Sequence, residues 1–275
     1  MILVSYDFSP NSEHALQHAA AFAKSANASL LLLHVYGRKT KELLRKEQKG
    51  EDYITEKLEA VRKESADKYG LEVAVTTARG SLIHELGKTA RDHDALFLFM
   101  GTMRRKKRQW FRGSFAFHLV RRSPIPVVVV REPATGHNYR KILYPLDIQP
   151  GSKQKVKWAK TMHHLAGAHI ELYVDTYSDR HDQRKIQADL NQVKNLLEQS
   201  NVSYSVTHAG KKGSFHKQLL QFAKENEVDA IMITSDPEKI LYNPFNMEEK
   251  MMFNPQNIPV MFIHLKNLNV IIGGR

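Results

Sequence analysis

The sequence predicts an α/β chain: two tandem doubly wound units, each built on a parallel five-stranded sheet. Three observations carry this. Short runs such as Leu30–Leu33 and Leu96–Met100 are continuously apolar, as strands covered on both faces must be. Stretches with apolar residues at helical spacing alternate with these runs, the pattern of right-handed βαβ units. The whole plan occurs twice.

The duplication rests on matched segments. Ile2-Leu3-Val4-Ser5-Tyr6-Asp7 matches Ile142-Leu143-Tyr144-Pro145-Leu146-Asp147, and both continue as Asp-x-x-Pro-x-Ser, at an offset of 147 − 7 = 140. Gly80-Ser81 is matched to Gly213-Ser214, and Asp94-Ala95 to Asp229-Ala230. Ile125-Pro126-Val127 returns as Ile258-Pro259-Val260, an offset of 258 − 125 = 133. Chance supplies one such match, not five in order.

In the first half, strands are predicted over 2–6, 29–35, 71–77, 95–100 and 125–131. The first helix, 11–26, follows from the stripe Ala15, Leu16, Ala19, Ala20 and Ala23, with Ser9 as its cap and Pro10 in its first turn. Further helices are predicted over 52–69, 82–93 and 114–122. The second half repeats the plan, with strands over 141–146, 169–175, 203–208, 229–234 and 258–264. Its helices fall at 152–166, 182–200, 214–226 and 246–254. Pro133 and Gly136 mark a linker. The expected organisation is unit 1 over 1–132, a linker over 133–139, unit 2 over 140–266 and a tail over 267–275.

Composition excludes several chemistries. With no cysteine, disulfides, thiolate zinc sites and thiol nucleophiles are ruled out. The balance of 41 basic and 29 acidic residues, a net +12, suits an anionic ligand, a nucleic acid or an acidic partner. The N-terminal segment lacks the basic and apolar regions of a signal peptide, and no apolar run is long enough to cross a bilayer. The expectation is a cytoplasmic protein without membrane contact. His14 and His18 share one helix face, but no carboxylate pattern completes a metal set, so they read as solvated surface histidines. Neither G-x-x-x-x-G-K-[ST] nor G-x-S-x-G occurs, and no catalytic residue is assigned.

At this point the chain resembles the universal stress protein family, whose units are Rossmann-like and related to the adenine-nucleotide α-hydrolases. The features that carry the resemblance are Asp7-Phe8-Ser9 after a hydrophobic strand, Leu32-Leu33-His34-Val35, Asp94-Ala95 leading into Met100-Gly101-Thr102, and Gly113-Ser114 with Ile125-Pro126-Val127-Val128-Val129. The resemblance implies a stress-response function without catalysis, and ATP or another adenine nucleotide as the ligand. Its site residues would be Asp7 and Val35 at the nucleoside, and Gly101, Thr102, Gly113 and Ser114 at the phosphates, with Arg104 and Arg105 as counter-charges. The family loop has the form G-x2-G-x9-G-[ST]; here Arg104 stands at the second glycine, and eight residues separate it from Gly113.

In the second half Met100-Gly101-Thr102 is aligned with Ser235-Asp236-Pro237, and Asp236 and Glu238 oppose a phosphate, so no ATP is expected there. From Gly101 to Arg131 nine residues are basic and none acidic, whereas Ser235 to Pro259 holds Asp236, Glu238, Glu248 and Glu249 against two lysines. An acidic surface facing an unidentified protein partner is the expectation for the second half. The resemblance further implies an intramolecular pseudo-dimer joined through the last strands, with a homodimer as an additional state. Two alternatives stand beside this reading: a weak ATP hydrolase or nucleotide-dependent transferase, and an anion or nucleic-acid module using the 104–112 loop. Nucleic acid is the less expected partner, because a short charge run beside Trp110 and Phe111 is a common solvated loop.

Overall fold

The apolar runs of the first half become β1 (Ile2–Ser5), β2 (Leu30–Tyr36), β3 (Val73–Arg79), β4 (Phe97–Gly101) and β5 (Val127–Val130). The structure is a computed structural model that describes residues 1–102, 113–134, 136–149, 151–235 and 247–264. Two compact units are distinguished, Met1–Gly136 and His137–Arg275. In the first, the strand order is β3-β2-β1-β4-β5 and every pairing is parallel. Strands β1, β2, β4 and β5 carry almost wholly buried side chains, which is why they read as unbroken apolar runs.

Helix α1 (Pro10–Ala26) starts where the sequence places it. Ser9 accepts a hydrogen bond from the Ser12 amide at 3.3 Å and Pro10 occupies the first turn. Its alanine stripe and Phe22 are buried, and the helix packs on β1, β4 and β5. Helices α3 (Asp52–Tyr69), α4 (Leu82–Asp92) and α5 (Gly113–Arg122) match their expected positions. Helix α2 (Arg38–Glu47) was not expected. Its one buried residue is Thr40, so it carries no apolar stripe for a periodicity reading to find.

The second unit repeats the order as β8-β7-β6-β9-β10, again wholly parallel. Its strands are β6 (Lys141–Leu146), β7 (His169–Val174), β8 (Tyr204–His208), β9 (Ala230–Ser235) and β10 (Val260–His264). Its helices are α6 (Val156–Ala166), α7 (Arg180–Glu198), α8 (Phe215–Glu225) and α9 (Met247–Met252). A 3-10 turn, Ser152–Lys155, precedes α6. Gly80 and Gly213 both stand at positive φ, 135° and 104°, before Ser81 and Ser214 at the entrances of α4 and α8.

Three sequence expectations need correction. Strand register moves one match by two residues: Ile2 pairs with Phe97 in β4, and its counterpart Ile142 pairs with Ala230 in β9. Leu96, not Asp94, is therefore the equivalent of Asp229, and Gly101 corresponds to Thr234 and Thr102 to Ser235. Asp229 is instead a hook for the unit's entry, accepting the amides of Asn138, Arg140 and Lys141 at 3.1, 2.9 and 2.9 Å. Secondly, His14 and His18 are not solvated. Their rings reach the carbonyls of Arg131 and Glu132 at 3.2 and 3.1 Å, and His18 is only 2% exposed. Thirdly, Glu248 and Glu249 on α9 are buried, so they form no acidic surface.

Gly101 marks a close approach. A Cβ built there would lie 1.8 Å from the Asn11 carbonyl oxygen, so β4 ends directly against the first turn of α1. Gly101→Ala is expected to lower unfolding stability by about 2 kcal/mol or more, because backbone on backbone cannot relax as a flexible side chain does. Urea denaturation of the variant checks this; a change within about 0.5 kcal/mol would show that α1 shifts freely.

Candidate functional site

In an open parallel sheet the crevice lies beyond the carboxyl ends of the strands, where the strand order reverses. In the first unit that point is between β1 and β4. Asp7 follows β1, and Gly101 and Thr102 close β4, so the fold brings these three predicted residues to one edge. Val35 lies near the end of the neighbouring β2, half-buried. Gly113 and Ser114 open α5, with their side chains outside the described residues. Arg104 and Arg105, and with them Asp236 and Glu238, lie outside the described residues altogether.

The Asp7 carboxylate is already engaged. One oxygen accepts the Ser9 amide at 3.1 Å and the Ser9 hydroxyl; the other accepts Lys39 Nζ at 2.5 Å. Burial alone would raise its pKa, but the bonds from Lys39 and Ser9 outweigh burial and hold it below the usual value. Lys39 sits on α2, which is docked by polar contacts. His34 on β2 is buried; its Nδ1 meets the Tyr6 carbonyl at 2.9 Å and so carries the proton. Its Nε2 then accepts from the Thr40 hydroxyl at 3.0 Å, and Thr40 Oγ1 accepts the Gly37 amide at 3.1 Å. Burial pushes the His34 pKa down, which keeps the ring neutral and this relay intact.

Around the same edge, rings and cations interleave. Phe8 stands at φ 60° and packs 5.4 Å from the Tyr6 ring and 5.0 Å from the His34 ring. Lys57 lies 5.4 Å above Phe8 and 5.7 Å above Tyr53. Arg79 covers Tyr36 at 4.6 Å and pairs with Glu51. Sequence reasoning missed Lys39, Lys57 and the relay through His34. The only signal for His34 was its place inside the Leu32-Leu33-His34-Val35 segment.

The second unit fills the equivalent ground with its own side chains. Buried positions 12, 15, 18, 19 and 22 of α1 recur at 152, 155, 158, 159 and 162, so Lys155 stands where the first unit has Ala15. Lys155 is 3% exposed; its ammonium donates to the Pro145 carbonyl at 2.7 Å and lies 4.6 Å from the Tyr144 ring. Burial pulls its pKa down to about 8, with nearby Asp147 acting in the opposite direction. Asp147 itself follows β6 as Asp7 follows β1, and its amide bonds Ser152 Oγ at 3.0 Å. Val35 corresponds to Asp175, which burial raises in pKa. Among the described residues, one His-containing acidic group, Asp179, His181 and Asp182, has ligand atoms close enough to share a metal, but Asp179 is spent capping α7. Among those residues no helix is long and apolar enough to cross a membrane.

Comparison with known proteins agrees with this geometry. Residues 1–131 match the model of the Universal stress protein family. A universal stress protein from Archaeoglobus fulgidus DSM 4304 has a similar structure at TM-score 0.73 and 18% identity, covering 96% of this chain and 98% of that one. A functionally unknown protein from Pseudomonas aeruginosa PAO1 aligns at TM-score 0.59 and 12% identity, over 98% of this chain and 95% of the other. These likenesses establish the fold across both units. A universal stress protein solved in complex with cAMP aligns with 47% of this chain and 95% of its own, at 18% identity and TM-score 0.37. A search of the curated proteins finds no match.

Two titrations test the buried groups. His34 is expected to titrate below 6.5 by NMR of its ring nitrogens. Since its folded pKa is lowered, the unfolded chain takes the proton first, and the His34 contribution to stability is lost as pH falls below 6.5. A ring titrating above 6.5 contradicts the relay. For Lys155 the origin and the sign are the same: burial lowers the folded pKa, so between pH 8 and about 10 the unfolded chain holds the extra proton and stability rises with pH. Lys155→Met is expected to abolish that rise in denaturation curves.

Proposed function

We propose that the chain, whose residues 1–131 match the Universal stress protein family, is a cytoplasmic stress-response protein that binds one adenine nucleotide weakly and catalyses nothing. The bound nucleotide would sit at the first unit alone. Asp7 and Val35 would face its nucleoside and Gly101, Thr102, Gly113 and Ser114 its phosphates, with Arg104 and Arg105 as counter-charges.

The observation that carries the reading is the asymmetry at residue 15. In the first unit Ala15 leaves the ground beneath the β1 end without a long side chain, whereas in the second Lys155 occupies it with a buried ammonium bonded to the β6 carbonyl of Pro145. A cation already bonded to the strand-end carbonyl competes with any ligand that would use that end. The family match, which ends at residue 131, supports the same division. Glycine at 101 supports it too, since its close approach to the Asn11 backbone is one that Thr234, at the corresponding place, could not make. The absence of an assignable base or nucleophile in the sequence motifs favours binding over turnover.

Calorimetry with ATP and magnesium tests the reading. One site per chain is expected, weakened at least tenfold by Asp7→Ala and unchanged by Asp147→Ala. No binding, two sites per chain, or an equal effect of Asp147→Ala overturns it. Phosphate release that Asp7→Ala abolishes would favour the hydrolase alternative.

A further inference from the structure

Among the described residues around the Asp7 edge, several cations are held by carboxylates. Arg38 pairs with Glu42 at 2.7 Å, Lys39 with Asp7 at 2.5 Å, and Arg79 with Glu51. Lys57 has no acidic partner among the described residues; it rests over the faces of Phe8 and Tyr53. Ring faces attract a cation without neutralising it, so its charge remains available to an anion.

The backbone beneath it is strained in a way that serves this arrangement. Phe8 stands in the left-handed region at φ 60°, which costs an L-residue about 1–2 kcal/mol. That conformation sets the Phe8 ring under the Lys57 ammonium, one residue along from Asp7. Strain kept at a half-buried aromatic beside a strand end is the kind retained at ligand sites.

Asp7 is engaged on both of its oxygens, yet its bond to Lys39 is exposed enough to exchange with a ligand. One oxygen accepts twice from Ser9, while the other accepts only the Lys39 ammonium and keeps one lone pair for a sugar hydroxyl. An anionic group beside it is not repelled by a bare carboxylate, because Lys39 offsets that charge and Lys57 adds a positive one.

We propose that Lys57, with Phe8 and Tyr53 beneath it, forms an anion subsite beside Asp7, and that the first unit's ligand is a nucleotide phosphorylated on its ribose 2′ or 3′ oxygen. This rests on the reading that Asp7 faces the nucleoside, and it names the class of nucleotide that the site takes. The base and 5′-phosphate keep the positions proposed above; the added phosphate distinguishes the ligand from ATP.

The test compares AMP, adenosine 2′,5′-bisphosphate and adenosine 3′,5′-bisphosphate by calorimetry on the full chain at one fixed salt concentration. At least one bisphosphate is expected to bind about tenfold tighter than AMP, the worth of one charge-assisted contact. The tighter isomer identifies the oxygen that faces Lys57. Lys57→Ala is expected to shrink the ratio to within about threefold, and Lys57→Glu to invert it. Equal affinities for AMP and both bisphosphates, or a ratio that Lys57→Ala leaves untouched, overturns the subsite while the nucleotide reading stands. If AMP, ATP and both bisphosphates all fail to bind, the nucleotide reading falls and takes the subsite with it.

Discussion

The approach of Gly101 to the Asn11 carbonyl is the contact on which the first unit's functional edge depends. Because no Cβ stands at that point, the end of β4 and the beginning of α1 share one small space. The start of α1 is thereby set, and with it the Ser9 cap and the turn through Phe8 that presents Asp7. In the second unit Thr234 takes the place of Gly101, and the corresponding chain does not begin as an α-helix but as a 3-10 turn after Gly151. One side chain more at a strand end accompanies a different geometry of the whole entry.

The two units keep one scaffold and solve the same edge differently. In each, the carboxyl end of the first strand exposes backbone carbonyls and an aspartate that need partners. The first unit answers from outside its core: Lys39 reaches across from a surface helix, and its pairing is exposed enough to exchange with a ligand. The second answers from inside, with a buried ammonium whose removal from water is costly and whose release would leave the Pro145 carbonyl unpaired. An exposed ion pair is worth little and yields easily; a buried ammonium bonded to a carbonyl is costly to release.

Docking of α2 follows from the same logic. The helix has almost nothing apolar to bury, so its position depends on a directional chain from the Tyr6 carbonyl through His34 and Thr40 to the Gly37 amide. His34 and Thr40 each accept one hydrogen bond and donate one, which fixes the imidazole tautomer and makes the arrangement conditional on a neutral ring.

Much of this molecule was legible in its residues. Doubly covered strands must be apolar throughout, and packed helices must repeat their apolar positions every turn, so both patterns, and their duplication, are written locally. Asp7, Gly101 and Thr102 were legible for a similar reason: they follow strands, and strand ends converge in any sheet of this order. What local pattern could not supply was how side chains distant in sequence would meet. The register at Asp229 and the burial of His18 depend on polar contacts to residues far along the chain, and neither the burial of Glu248 and Glu249 nor the polar docking of α2 leaves a periodicity. Lys155 shows the limit most directly: in sequence it is one more lysine, indistinguishable from the solvated ones around it. Only the tertiary structure turns it inward, because the helix face that carries it is fixed by Ser152, Ala159 and Met162 packing on the sheet, and position 155 must then be buried whatever residue occupies it.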